Sequence, residues 1–388
     1  MTTNAMLQGL RIVDLTTVVF GPYSTQTLAD MGAEVIKVEG ITGDIFRYAG
    51  HPAHTPGMGP GHMTLNRGKA SIVLDLKTEA DKEVMRELLA TADVFIHNVR
   101  TQAIERLGFG YEDVKALKPD IIYVHCVGFG SDGPYADLQA YDDLIQAATG
   151  TTSLLPRVDG NPKPRYMASL IADKVAGLHG VYAVLGAMVH KLRTGEGQHV
   201  EVPMLEAFTQ FILKEHLYDA TFVPPTGSIG YERQIEPNRQ PFPTKDGHIA
   251  IVPYTDASMV RLFKVLGGDT ILAKPEFATP QERAKRQSEL YRLIGELTPA
   301  RTSAEWCELL HAAELPALPA CDLTEVTEDP HLKATGYFRQ RTHPSEGEFL
   351  EMRPPVRFSA LPDPELGFAP LLNQDGPALR AQLAKTKD

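Results

Sequence analysis

Cysteine is scarce in this chain. Cys126, Cys307 and Cys321 are far apart, and their spacing matches neither a disulfide framework nor a zinc motif, so no metal site is expected. Burial as small apolar side chains is the favoured reading of all three. A basic excess is also missing. The net charge is −11 and the pI is near 5.6, which argues against bulk binding of nucleic acid or anionic membrane. No apolar run approaches the ~20 residues of a membrane helix. Met1 to Gln8 carries neither a basic segment nor the hydrophobic core of a secretory signal. The expected partners therefore include no nucleic acid and no membrane, and the default compartment is cytoplasmic. A P-loop, a G-x-S-x-G elbow and paired-cysteine zinc spacing are absent as well.

What is present is ordinary globular sequence: 388 residues, 43% hydrophobic and 22% charged, enough for about two domains. Strand-like and helix-like segments alternate at first. Leu10 to Leu15 is an apolar run holding Asp14, Ser24 to Met31 follows as a helix, and Glu34 to Val38 is the next strand. Ser71 to Leu76, Asp93 to Val99 and Asp120 to Val127 complete the strands, and Val84, Met85, Leu88 and Leu89 share one helical face. Short strands separated by helices predict an α/β fold with a parallel sheet covered on both sides. The pattern changes after Phe222. Pro224, Pro225, Gly227 and Gly230 mark a loop, Gly247 to Tyr254 reads as a strand, and Met259, Leu262, Phe263 and Leu266 share a helical face. Thr302-Ser-Ala-Glu305 is a capping box that opens another helix. The expected division is a large domain over 1–205, a linker over 206–224, a small domain over 225–330, and a segment over 331–388 returning to the large domain.

Several motifs carry candidate chemistry. The first strand–helix–strand unit has the shape of a dinucleotide fold, but its turn is Phe20-Gly-Pro-Tyr23. One glycine replaces the G-x-G-x-x-G fingerprint and Pro22 has no amide for a pyrophosphate, which speaks against a nicotinamide dehydrogenase. Asn66-Arg-Gly-Lys69, running on to Leu74-Asp-Leu-Lys77, offers Arg67, Lys69 and Lys77 to phosphates, although by spacing alone a turn with solvated charges is the favoured reading. Asn98, Arg100 and Arg106 follow the Asp93–Val99 strand, and ligands gather at strand carboxyl ends in open α/β sheets. Arg106-Leu-Gly108 also fits a helix end with a glycine cap. Asp173 opens a long helical pattern in which Gly177, Gly180 and Gly186 leave a thin face. It reads as the cap of that helix and, compatibly, as a carboxylate that the helix terminus keeps anionic for nucleophilic attack.

Together, in order along nearly the whole chain, several segments resemble the class III CoA-transferase family, also called the CaiB/BaiF family. They are Gly9-Leu-Arg-Ile-Val-Asp-Leu15, Ala33-Glu-Val-Ile-Lys-Val-Glu39, Asn66 to Lys69, Leu74 to Lys77, Arg106-Leu-Gly108, Gly133-Pro-Tyr135, Tyr141-Asp142, Asp173 with Gly177, Pro241 to Gly247, Glu305-Trp306 and Asp329-Pro330. The resemblance implies a Rossmann-like large domain with a parallel sheet, a smaller α/β domain, and two chains interlocked as a homodimer. It implies acyl-CoA and small carboxylic acids as substrates, with no tightly bound cofactor. It matches the catalytic aspartate to Asp173, and the coenzyme A contacts to Asn66, Arg67, Lys69, Leu74, Lys77, Asn98 and Arg106. Transfer then runs through an aspartyl anhydride and an aspartyl-CoA thioester, with the Gly128–Gly133 and Gly227–Gly230 loops as candidate oxyanion donors.

Two departures stand out. Gly40 replaces an arginine that many members carry after the matched glutamate, and Asn98-Val-Arg-Thr-Gln102 replaces Asn-Phe-x-Pro-Gly. Arg100 or Arg47 is the expected substitute, and Arg47, Tyr48, His51 and His54 are candidates to line an acid pocket for a dicarboxylate. A 2-methylacyl-CoA racemase or epimerase on the same fold needs a histidine in the Tyr141 region. Tyrosine, with an ordinary pKa of about 10, is a poor base. A non-catalytic CoA-binding protein, the other alternative, has no need of a reactive carboxylate.

Overall fold

The computed structural model describes residues 5–361 and 365–385; residues 1–4, part of the segment read for a signal, lie outside the described residues. The chain divides into two compact units: residues 1–151, 166–213 and 334–388 form the first, and residues 152–165 and 214–333 the second.

The first unit is built on six strands: β1 (Arg11–Leu15), β2 (Glu34–Glu39), β3 (Lys69–Val73), β4 (Val94–His97), β5 (Ile122–Val127) and β6 (Gln198–Pro203). All pair in parallel, in the order β3-β2-β1-β4-β5-β6. The helices up to the unit boundary are α1 (Phe20–Asp30), α2 (Pro60–Leu65), α3 (Glu79–Ala90), α4 (Thr101–Leu107), α5 (Tyr111–Leu117), α6 (Asp142–Ala148), α7 (Leu154–Asp159, in the second unit), α8 (Ile171–Thr194) and α9 (Met204–His216). Five strands lie where the apolar runs put them. The sixth was not anticipated, because Gln198-His-Val-Glu-Val-Pro is a partly exposed edge strand ending in proline. Helix α1 starts at Phe20, four residues before the predicted start. Pro22 sits in its first turn, where the missing amide costs no hydrogen bond.

Both faces of the sheet are covered, as a parallel sheet requires. On one face Ile12, Val35, Ile96 and Val124 pack with Leu28 of α1 and Ala172, Ala176 and Val184 of α8. On the other, Val13, Ile36 and Phe95 pack with Met85, Leu88 and Leu89 of α3. The edge of β3 is closed by side chains from near the C-terminus. Ser71 N–H donates to Asp375 at 2.8 Å and Val73 N–H to Asn373 at 2.9 Å, which removes an open edge.

Two expectations need correction. The stretch taken as a linker, 206–224, carries most of α9, since Met204, Ala207, Phe208 and Ile212 recur at helical spacing and are buried. Residues 152–165, expected in the large domain, group with the second unit. Helix α8, at 24 residues, is long and apolar enough to cross a membrane by length and composition. Asp173, Lys174 and His179 interrupt its apolar run, which hides that length from inspection of the sequence. Here it is a core helix, with Ala172, Val175, Ala176, Val181, Val184 and Ala187 buried.

In the second unit β7 (Phe242–Pro243), β8 (His248–Ile251) and β9 (Ala317–Pro319) form an antiparallel sheet in that order. Around it lie α10 (Asp256–Val265), α11 (Asp269–Leu272), α12 (Pro280–Lys285), α13 (Gln287–Leu297), α14 (Ser303–Ala312) and α15 (Pro330–Ala334). The capping box at Thr302 and Glu305 forms as the sequence predicts. The chain then returns to the first unit through the hairpin β10 (Phe338–His343) and β11 (Gly347–Met352) and ends in α16 (Gly376–Lys385).

Candidate active site

Strand order reverses between β1 and β4, the place where parallel α/β sheets open a crevice. A cavity of about 520 Å³ lies at that end of β1, β4 and β5. Thr17 and Val18 line it after β1, Asn98 and Arg100 after β4, and Arg106 comes from α4. His125 on β5, Tyr141 just before α6, Met204 and Asp173 complete the working part of the wall.

Asp173 occupies the third position of α8 and is 8% exposed. It does not cap its own helix. That job falls to Asp142, 31 residues earlier, whose Oδ1 accepts the amides of Ala172 at 2.7 Å and Asp173 at 3.1 Å. Gln146 donates to the other oxygen of Asp142 at 2.6 Å, and it also bonds the backbone at Met167 and Ser169. Among the described residues no donor reaches the Asp173 carboxylate. Burial, and then the charge of Asp142, push its pKa up from the ordinary 3.8 to about 7. The expectation of a carboxylate held anionic by the helix end is therefore corrected: the amides are spent on Asp142. No sequence rule links positions 142 and 173, and only the Tyr141-Asp142 motif drew attention to the region.

Two glycines bring α8 against α1. A Cβ on Gly177 would stand 3.0 Å from the carbonyl oxygen of Phe20 and 2.9 Å from Tyr23, and one on Gly180 would stand 2.5 Å from Ser24 Oγ. Ser24 Oγ donates to the Gly177 carbonyl at 2.7 Å. Gly186, in contrast, faces open space. The approach places Phe20, at the start of α1, in the cavity wall. The preceding Val18 has φ 70°, an unusual conformation for a β-branched residue. It is held there by Asp44, whose carboxylate accepts Val18 N–H at 3.1 Å and bonds Lys37.

Lys37 belongs to a buried polar network on the β1–β3 half of the sheet. Asp14, Lys37 and Ser71 are register neighbours on three adjacent strands, so their side chains form one row. Asp14 accepts from Thr16, Thr25 and Lys69. Burial favours its neutral form, but Lys69, Lys37 and the two hydroxyls outweigh it and hold the pKa at about 2.

This network absorbs much of the predicted coenzyme-binding set. Lys69 is 5% exposed, with Nζ bonded to Asp14, Asn66 and the Pro22 carbonyl. Asn66 is buried and also meets His62. Arg67 makes a two-pronged pair with Asp30, at 2.9 and 2.6 Å, and also bonds the Met352 carbonyl. The Leu74 side chain lies in the core. None of these lines the cavity, and neither does Lys77, which is exposed on the turn before α3. Arg47, the suggested substitute, is 1% exposed and bonds both oxygens of Glu39 at 2.7 Å, so it is not free for a substrate.

Asn98, Arg100 and Arg106 do meet Asp173 in one cavity. Asn98 exchanges hydrogen bonds with the Thr17 backbone, whereas Arg100 and Arg106 are exposed and have no acceptor among the described residues. His125, not anticipated as a site residue, bonds the Val99 carbonyl through Nε2 at 2.9 Å and stacks on His97. In the Gly128–Gly133 loop the amides of Gly130 and Ser131 are taken by Glu206 and Glu201.

Comparison with known proteins gives this geometry its family. The model of CoA-transferase family III matches residues 7–376. A succinate–glutarate CoA-transferase of Agrobacterium fabrum is 33% identical over 92% of this chain and 90% of its own. A formyl-CoA:oxalate CoA-transferase of Streptomyces avermitilis is 32% identical, covering 95% and 93% respectively. Among solved structures, a CaiB/BaiF family protein from Brucella suis superposes with a TM-score of 0.83 at 31% identity, over 98% of this chain and all of that one. The chain belongs to CoA-transferase family III.

Proposed function

We propose that this enzyme moves coenzyme A from an acyl-CoA to a free carboxylic acid by making and breaking covalent bonds to Asp173. The observation that carries the reading is a buried carboxylate without a hydrogen-bond donor among the described residues, in a cavity that also holds two arginines unpaired among them. The Asp173 carboxylate attacks the thioester carbonyl, and the C–S bond breaks to give an aspartyl anhydride and coenzyme A thiolate. The thiolate then attacks the aspartyl carbonyl, which forms the enzyme thioester and releases the donor acid. An acceptor carboxylate attacks that thioester, expelling the thiolate and giving a second anhydride. Attack of the thiolate on its acyl carbon yields the new acyl-CoA and regenerates Asp173. Overall one thioester is exchanged for another, and the covalent intermediates divide the transfer into steps of which anhydride formation is the uphill one.

Arg100 and Arg106, with Asn98 and the exposed Lys77, are proposed to hold the anionic and amide parts of coenzyme A. With the Gly130 and Ser131 amides engaged, the first-turn amides of α1 beside Phe20 are the better oxyanion donors; Val19, the N-cap, has no capping side chain. The relatives named above act on succinate, glutarate and oxalate, which favours a dicarboxylate acceptor. A homodimer and a cytoplasmic setting belong to the same reading. Leu178, Tyr182, Val189 and Leu192 are exposed along α8, which supports a partner surface, and the three cysteines are free thiols. Light scattering on the purified protein tests the dimer.

The main experiment offers acyl-CoAs together with mono- and dicarboxylic acids and follows product masses. Hydroxylamine trapping with peptide mapping then looks for an adduct on Asp173. Absence of any adduct there during turnover overturns the reading. Deuterium uptake at the α-carbon without coenzyme exchange would instead indicate racemisation, which Tyr141 disfavours.

A further inference from the structure

We propose that Asp142 is a positioning residue that keeps Asp173 reactive by taking the helix-terminal amides for itself. The proposal rests on Asp173 being the nucleophile. A carboxylate in the first turn of a helix ordinarily gains from the free amides and the positive end of the dipole, and becomes a weaker base. In α8 that gain goes elsewhere. Asp142 Oδ1 binds the amides of Ala172 and Asp173, while the neighbouring Asp173 side chain has no donor of its own among the described residues.

The arrangement is built rather than incidental. Asp142 is 4% exposed, and Gln146, fully buried, holds its second oxygen. Gln146 is fixed in turn by the Met167 amide and the Ser169 carbonyl, so Asp142 cannot swing away. A second negative charge is thus kept next to the nucleophile, and both carboxylates are largely buried. The groups facing Asp173 from the surrounding elements are few. Asp142 comes from α6, Phe20 and Met204 are apolar, and Arg100, Arg106, His125, Cys126, Asp137 and Tyr141 line the shared cavity. Asp142 is the one whose charge raises the Asp173 pKa, after burial itself.

The chemical consequence follows from nucleophile strength. A more basic carboxylate attacks a thioester faster, yet a protonated one does not attack, so a pKa near the working pH is the best compromise. Asp142 accordingly adds to burial in raising both the intrinsic reactivity of Asp173 and the pH at which it switches on.

The test is the pH profile of kcat/KM for the Asp142→Asn enzyme, which keeps an oxygen acceptor for the amides but removes the charge. The wild-type profile is expected to rise through an acidic limb near pH 7. In the variant the limb is expected to move down by roughly one unit, with the plateau lower by about tenfold. A folded variant whose acidic limb stays in place overturns the proposal. Trapping separates the two readings. An Asp173 adduct with an unmoved limb sinks this inference alone, whereas no adduct in the wild type sinks the nucleophile. If Asp142→Asn does not fold, carbon-13 NMR of labelled aspartates in the wild type, assigned with Asp173→Asn, reads the same quantity. A midpoint in the usual carboxylate range for Asp173 then overturns it.

Discussion

Two groups of charges sit on the same sheet and behave in opposite ways. On the β1–β3 half, Asp14, Lys37, Glu39, Asp44, Arg47 and Lys69 are buried and satisfy one another. At the ends of β4 and β5, among the described residues, Arg100 and Arg106 are exposed without acceptors, and Asp173 is buried without a donor. The first group has already used its binding capacity on the fold and holds the strained Val18 turn in place. The second leaves that capacity open, as the proposed coenzyme site requires. Completeness of pairing, more than charge itself, separates scaffold from site.

The sharpest way to break this comparison is Asp173→Asn. It is expected to lower transfer by at least about 10⁴-fold while the protein gains stability. The sign follows from linkage. The folded-state pKa is raised from 3.8 to about 7, so the stability present below pH 4 is lost as pH rises through 7. The asparagine variant escapes that loss, by on the order of a few kcal/mol above pH 7 and by almost nothing near pH 4. Urea unfolding at the two pH extremes, with activity measured alongside, checks both halves. Equal stability at both would mean that the carboxylate is not strained.

Lys69→Met attacks the other group. Removing one partner of a buried pair leaves Asp14 uncompensated, and a loss of about 3–5 kcal/mol is expected in thermal or chemical unfolding. Arg106→Ala should show the reverse pattern. Its unfolding should stay within about 0.5 kcal/mol of wild type, and KM for acyl-CoA should rise roughly tenfold, the worth of one charge-assisted hydrogen bond. If Arg106→Ala unfolds easily and Lys69→Met binds poorly but folds well, the assignment of scaffold and site is inverted. The smallest effect is expected from Gly40→Arg. A Cβ there meets nothing within 4 Å and the backbone φ is unexceptional. An exposed arginine in that place should lower KM for acyl-CoA by roughly threefold, as an exposed ion pair of up to about 1 kcal/mol allows.

Much of the fold was legible from local pattern. Apolar runs marked five of six sheet strands, and the Thr302–Glu305 box marked the start of α14 because both partners lie within one turn. The edge strand β6 was not legible, since half-exposed alternating residues with a terminal proline resemble a loop. The site was legible only in part. Asp173, Asn98, Arg100 and Arg106 do share a cavity, but Asn66, Arg67 and Lys69 carry the same residue types and are spent internally.

By itself the sequence determined the parallel α/β plan, the family, and the carboxylate to watch, because periodicity, capping and motif order are properties of neighbours along the chain. The tertiary structure alone decided that Asp142 caps α8, that Lys69 belongs to Asp14, and that Asp173 is left without a donor among the described residues. Those outcomes depend on which groups meet across 31 or 55 residues of chain and on how completely water is removed around them. Desolvation and long-range pairing set the chemistry of a carboxylate, and neither is written in its immediate neighbours.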